Sequence, residues 1–359
     1  MSINQVYDRC VSGLRQLRPQ ERITRRRNLA WLMVGILMSR SVHLSRIALK
    51  IPGAAKEVST VRRLERLLDN PAIHVRRWYE PIARSWVESA AKTTGEVRLI
   101  LDTTKVGMGH RLLIVSLAFR RRAIPLVWTW QRGAKGHSAA RTQLALLHIV
   151  RQLIPEGVPV LLVGDTEFEA GDLQKALVAW RWQYVLRQKP NNQVKPSDQA
   201  AWQRLGDLVT GPGQSVWVAP AWLTLRYAQR VNLLAHWQVG EKEPWLLATT
   251  LSSAHATRRA YQRRMWIEEM FGDWKGHGFD LESSHLRHFA RLSRLTLAVA
   301  LLYVCIIRTG VTVIKKGLRH HVDRKDRRDL SLFQIGLRWL ERCWKNSRPF
   351  SISLGPPGY

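Results

Sequence analysis

Val97-Arg-Leu-Ile-Leu-Asp102-Thr-Thr104 and Val160-Leu-Leu-Val163-Gly164-Asp165-Thr166 are two short apolar runs, each closed by a carboxylate. Runs of this composition, bounded by polar residues, read as buried strands. A buried strand that ends in a bare negative charge needs compensation, because an unpaired carboxylate is costly to remove from water. A hard divalent cation is one compensator, since it takes oxygen ligands and keeps positions open for water and phosphate. Taken singly, an Asp at a strand end is more commonly a turn or helix cap. The weight therefore rests on the pair together with a third carboxylate downstream.

Working outward, Leu112–Phe119 and Ala123–Trp130 look like two more strands, joined by a tight antiparallel connection at Arg120-Arg121-Arg122. A helix is expected over 138–153, and Pro155-Glu-Gly-Val-Pro159 breaks it before the second carboxylate run. A helix over about 171–182 and a strand over 184–187 follow. Three antiparallel strands, a helix, a strand ending in Asp, a helix and a strand make the pattern of a mixed α/β, ribonuclease H-like core with helices on its faces. Residues 189–252 then read as β and turn, with short runs such as Ser215–Val218, Leu223–Tyr227, Val231–Trp237 and Trp245–Thr250. This is a β-rich insertion ahead of the next helix.

That helix, expected to begin near Thr257, holds Tyr261-Gln-Arg-Arg264-Met-Trp-Ile-Glu268-Glu-Met-Phe-Gly-Asp-Trp-Lys275. At ~3.6 residues per turn, Tyr261, Arg264, Glu268 and Lys275 fall along one face of a continuous helix. Met265, Ile267, Met270, Phe271 and Trp274 are left to pack inward. Such a helix brings a carboxylate to the two strand ends, flanked by cations suited to phosphate. The plain alternative is an i, i+4 pair of Arg264 with Glu268, worth only ~0.3–0.5 kcal/mol. Glu269 points about a quarter-turn away and is the poorer ligand.

These spacings resemble the Tyr-(2)-Arg-(3)-Glu-(6)-Lys signature of the insertion-sequence transposases of family four. Asp102-Thr-Thr and Gly164-Asp165-Thr-Glu-Phe168 are similar to that family's two Asp regions. The resemblance covers roughly residues 95–310. It implies that Asp102, Asp165 and Glu268 are the catalytic triad and hold magnesium or manganese, two ions per site. It further implies that Tyr261, Arg264 and Lys275 contact phosphates at the element's end, in a cut-and-paste transposase that cleaves ends and transfers strands. Trp245, just before an apolar strand, is similar to the residue that stacks on a flipped base in hairpin-forming members. An aromatic platform suits an unstacked base, although a Trp in a chain of 16 is more commonly core. A homodimer or larger synapse holding two duplex ends is implied as well. The rival readings are a nuclease or resolvase on the same fold without strand transfer, and a non-catalytic DNA-binding regulator.

Bulk composition fits a polyanionic partner. With 57 Lys+Arg against 27 Asp+Glu, the chain carries a formal charge of +30, and each phosphate that it neutralises would release counterions. A ribosome or an anionic membrane surface would also suit the charge, but Leu29–Ser39 and Leu295–Ile307 are shorter than the ~20 apolar residues of a membrane span. Cys10, Cys305 and Cys343 are scattered with no CxxC pair, which argues against a disulfide framework or zinc ribbon and suits a reducing cytoplasm at the nucleoid. Residues 1–92 read as helical, broken at Pro52-Gly53 and capped again at Ser59-Thr60. Flanked by Arg25-Arg26-Arg27 and Arg62-Arg63, they form either a DNA-binding domain or a bundle with a solvated basic face. Residues 93–310 make the core, and 311–359 a basic helical tail with a helix near 330–344. His277, His285 and His288 suit phosphate contact or surface placement better than metal, and Lys135-Gly-His137 falls in a loop after the third strand.

Overall fold

The computed structural model describes residues 2–107, 109–133, 138–196, 198, 200–224, 229–350 and 352–357. Lys135-Gly-His137 lies outside the described residues, as do positions 225–227 of the expected run Leu223–Tyr227.

Five helices open the chain: α1 (Ile3–Leu17), α2 (Ile23–Ser39), α3 (Leu44–Ala48), α4 (Glu57–Asp69) and α5 (Val75–Thr94). Ser2 and Gln5 close a reciprocal capping box on α1. The break at Pro52-Gly53 falls between α3 and α4. The cap expected at Ser59-Thr60 does not form: α4 already begins at Glu57 after Lys56, with no side-chain cap. Glu57 in the first turn faces the positive end of the helix dipole instead.

A hairpin meander follows, β1 (Val97–Val106), β2 (His110–Phe119) and β3 (Arg122–Arg132). Then come α6 (Ala140–Arg151), β4 (Val160–Gly164), α7 (Gly171–Ala179) and β5 (Gln183–Arg187). The insertion contributes β6 (Gln193–Lys195), β7 (Gln203–Arg204), β8 (Ser215–Leu223), β9 (Gln229–His236) and β10 (Trp245–Thr249). All ten strands form one sheet in the order β3-β2-β1-β4-β5-β10-β9-β8-β6-β7. β1, β4 and β5 are parallel neighbours, and β2 and β3 extend antiparallel from β1. This is the mixed α/β, ribonuclease H-like arrangement that the order of runs implied. The inserted strands continue its sheet, because β10 pairs antiparallel with β5.

The expected single helix from Thr257 through Lys275 is two helices, α8 (Ala254–Gln262) and α9 (Met265–Trp274). At the joint the backbone tightens to i→i+3 bonds, Arg264 N–H to the Tyr261 carbonyl at 2.8 Å and Ile267 N–H to the Arg264 carbonyl at 3.1 Å. Lys275 lies just past α9 in a non-helical conformation. Of the expected inward stripe, Ile267, Met270, Phe271 and Trp274 are buried, whereas Met265 is 50% exposed.

Behind α9 runs α10 (Phe289–Lys315), longer than the uncharged stretch alone suggested. Its 27 residues are long and apolar enough to cross a bilayer, but most of the hydrophobic stretch is buried inside the protein. Tyr303 of α10 meets the Trp274 ring edge-on at 6.0 Å. The last helix, α11 (Leu332–Lys345), packs backbone against backbone on α10: a Cβ at Gly310 would lie 2.2 Å from the Leu332 carbonyl, and one at Gly336 2.0 Å from that of Ile306. One apolar core runs from Val6 to Leu354 and includes residues of every one of these helices. The three cysteines are buried and unpaired.

Candidate active site

Parallel register between β1 and β4 ends with the pair Leu101 and Gly164. Asp102 and Asp165 are the next residues on two strands lying about 4.8 Å apart. The sheet thus delivers two carboxylates side by side where parallel pairing stops. Asp102 is not at a strand end, as the sequence suggested. β1 runs on to Val106, with Asp102 opposite Ile114 of β2.

Asp102 is buried. One of its oxygens accepts from the Thr103 amide at 2.7 Å and the other from Arg264 Nη1 at 2.7 Å. Burial pushes its carboxyl up to about 7, against the pull of Arg264, while Glu268 and then Asp165 raise it further. Asp165 begins a 3-10 turn, Thr166–Phe168, yet makes no side-chain cap bond there. Among the described residues its carboxylate accepts only a 3.3 Å bond, from the Thr166 hydroxyl. The ordinary capping explanation for an Asp at this position therefore does not describe Asp165.

Glu268 stands in the first turn of α9, and its carboxylate is half exposed. Arg264 Nη1 reaches it at 3.3 Å while holding Asp102 at 2.7 Å, so one nitrogen bridges two of the three acids. Burial works against the Arg264 charge, but Asp102, Tyr261, Asp165 and Glu268 together raise its proton affinity. Among the described residues no three His, Cys, Asp or Glu side chains already form a metal cage. Asp102 and Glu268 meet instead on one guanidinium. The donor set still suits a hard cation, because all three acids offer carboxylate oxygens.

The remaining signature residues are placed differently from the one-face expectation. Tyr261 is buried, and its hydroxyl has no hydrogen-bond partner among the described residues. Its ring meets Trp245 edge-on at 5.1 Å, and Trp245 in turn lies 6.2 Å from His236. Trp245 is half-buried at the start of β10. Lys275 donates from Nζ to the Lys105 carbonyl at 2.7 Å and pairs with Glu282 at 3.3 Å. Glu269 turns away to Arg122 at 2.9 Å. His285 packs edge-on against His43, and the His277 carbonyl accepts from Gln334.

Sequence reasoning missed Glu167 and Arg111. Glu167 follows Asp165 by two residues, accepts from the Ser138 amide at 2.8 Å and faces Arg111 at 3.5 Å. Arg111 is 2% exposed, and among the described residues none of its guanidinium nitrogens has an aligned hydrogen-bond partner. The available signal was the charged Glu inside Asp165-Thr-Glu-Phe168; nothing in the sequence pointed to Arg111.

Residues 127–305 match the family model described as "Transposase DDE domain", which supports a DNA transposase function. The matched span contains Asp165, Trp245, Tyr261, Arg264, Glu268 and Lys275, and it begins after Asp102. Among solved structures, the chain is similar to a piggyBac transposase in a synaptic complex with hairpin DNA, with 10% sequence identity. That alignment covers 96% of this chain and 83% of the other, at a TM-score of 0.42. No curated protein matches the chain.

Proposed function

We propose that this chain is a cut-and-paste DNA transposase of the family-four insertion-sequence kind, with Asp102, Asp165 and Glu268 as its catalytic carboxylates. The observation that carries the reading is the register that sets Asp102 beside Asp165 while Arg264 ties Asp102 to Glu268.

The three acids would hold two divalent ions, magnesium or manganese. When bound, these supply positive charge to phosphate oxygens and to the attacking oxygen. The protein's own part is positioning and charge. Tyr261 and Lys275 would fix the backbone of the element's end. Arg264 joins them once Asp102 has another counter-charge. The half-buried face of Trp245 would take an unstacked base. Hydrolysis at the element's end frees a 3′-hydroxyl. The same acids then serve its attack on a phosphodiester of a second duplex, with the new bond forming as the old P–O bond breaks. Joining two ends calls for a dimeric synapse. Residues 1–92 are proposed as the DNA-binding helical domain, 93–310 as the catalytic core and 311–359 as the basic C-terminal segment.

The test is cleavage of element-end duplex in magnesium, followed by strand transfer. Asp102→Asn, Asp165→Asn and Glu268→Gln should each lower cleavage by at least about a hundredfold. Full cleavage by any of the three would overturn the triad, and cleavage without joining would leave a nuclease.

A further inference from the structure

One helix face round from Glu268, an open cleft of about 880 Å³ is lined by arginines from three separate parts of the chain. Arg120 and Arg121 come from the β2–β3 turn, Arg259 and Arg263 from α8 and its C-terminus, and Arg328 from the segment before α11. None of these five has a carboxylate within ion-pair distance among the described residues. The acids nearby are already engaged: Glu269 with Arg122, and Asp329 with Arg324 and Arg327. Like charges press on one another here. After burial, Arg122, Arg319 and Arg121 hold the Arg328 proton affinity down against a pull from Asp323, and Arg98 and Arg259 do the same at Arg263 against Glu96.

The turn itself is unusual. Phe119 pairs with Arg122, so Arg120-Arg121 is a two-residue hairpin connection, and both residues have positive φ, 46° and 63°. Glycine or asparagine suits such a turn, because a larger side chain there is sterically disfavoured. Two arginines in a conformation that opposes them suggest that their charge is wanted at this place. The Arg120 guanidinium also lies 5.6 Å from the Phe119 ring, which gives it a fixed direction.

We infer that this cleft holds the phosphate backbone of the acceptor duplex, DNA unrelated in sequence to the element. The inference rests on the transposase reading above. Guanidiniums dominate the charged lining and Gln262 is its one side-chain amide, so the lining suits phosphates, which carry no sequence information. Met265 and Glu269 line the cleft from the same helix that carries Glu268. A duplex seated there would lie against the helix that presents Glu268.

The experiment measures binding of an unrelated duplex across salt concentrations, in chelator, so that no turnover is involved. Wild type is compared with the triple variant Arg120→Gly, Arg121→Asn, Arg328→Ala, whose turn residues suit positive φ. The plot of log affinity against log salt should be shallower by about 2–3, near 0.9 for each phosphate that the variant no longer neutralises. Arg328→Ala alone, in an exposed segment, should make it shallower by about 1. An unchanged slope in both variants overturns the cleft assignment. Failure of wild type to cleave element ends in magnesium would sink the transposase reading without altering the chelator result.

Discussion

Arg264 and Asp102, 162 positions apart in the chain, tie the α8–α9 joint to the sheet at 2.7 Å from Nη1 to Oδ2. Both side chains are largely buried, at 12% and 9% exposure. Removing one partner of a buried pair leaves the other without compensation, commonly at about 3–5 kcal/mol. Asp102 can relieve part of this by taking a proton. Arg264→Ala should therefore lower the thermal midpoint clearly at pH 8 and much less at pH 5. Equal losses at the two pH values would argue against the pair as described.

Tyr261→Phe should separate stability from DNA binding. The buried hydroxyl finds no partner among the described residues, and an unsatisfied buried polar group costs about 1–3 kcal/mol. Without DNA, the Phe variant should be as stable as wild type or up to about 1 kcal/mol more stable by denaturant titration. Its affinity for element-end duplex should fall. A clear destabilisation would mean that the hydroxyl already has a partner.

Asp273 gives a pH dependence away from the proposed metal ligands. Burial pushes its carboxyl up to about 7; Arg122, 3.0 Å away, opposes this, while Glu269 adds to it. The folded state binds this proton more tightly than the unfolded chain does. The group's stabilising contribution is therefore complete below about pH 4 and is lost as pH rises through about 7. Melts of wild type between pH 5 and pH 8 should carry this slope, and Asp273→Asn should flatten it. An unchanged slope in the variant would place the titration elsewhere.

Gly310→Ala or Gly336→Ala should pry α11 from α10, since each added Cβ meets a backbone carbonyl at about 2 Å. Overpacking against backbone typically costs about 1–3 kcal/mol, and the double variant should lose more than either single one. Near-native melts for both single variants would show that the helices can slide apart at little expense.

Much of the sheet was legible because its runs are short, apolar and bounded by Gly, Pro or charge. β1 through β5 fall within a few residues of their expected places. Asp102 was misjudged as a strand end because apolar character stops there, whereas β1 continues by pairing with β2, which no local pattern reports. The break at Arg263-Arg264 was invisible for a related reason: helical spacing persists across it, and only the tightened hydrogen bonds mark the joint. Tyr261, Arg264 and Glu268 could be picked out by spacing. That Arg264 would bond Asp102, or that Tyr261 would be buried beneath Trp245, depended on packing between elements far apart in sequence. The arginine cleft was hidden for the same reason, being assembled from three distant segments.

The central position of α10 sets a limit on how this protein can be divided. A fragment cut to residues 127–305 would sever that helix midway, strip the N-terminal helices from its flank and discard the strand bearing Asp102. Its freshly bared leucines and valines would seek one another between molecules, so such a fragment should precipitate rather than serve as a minimal enzyme.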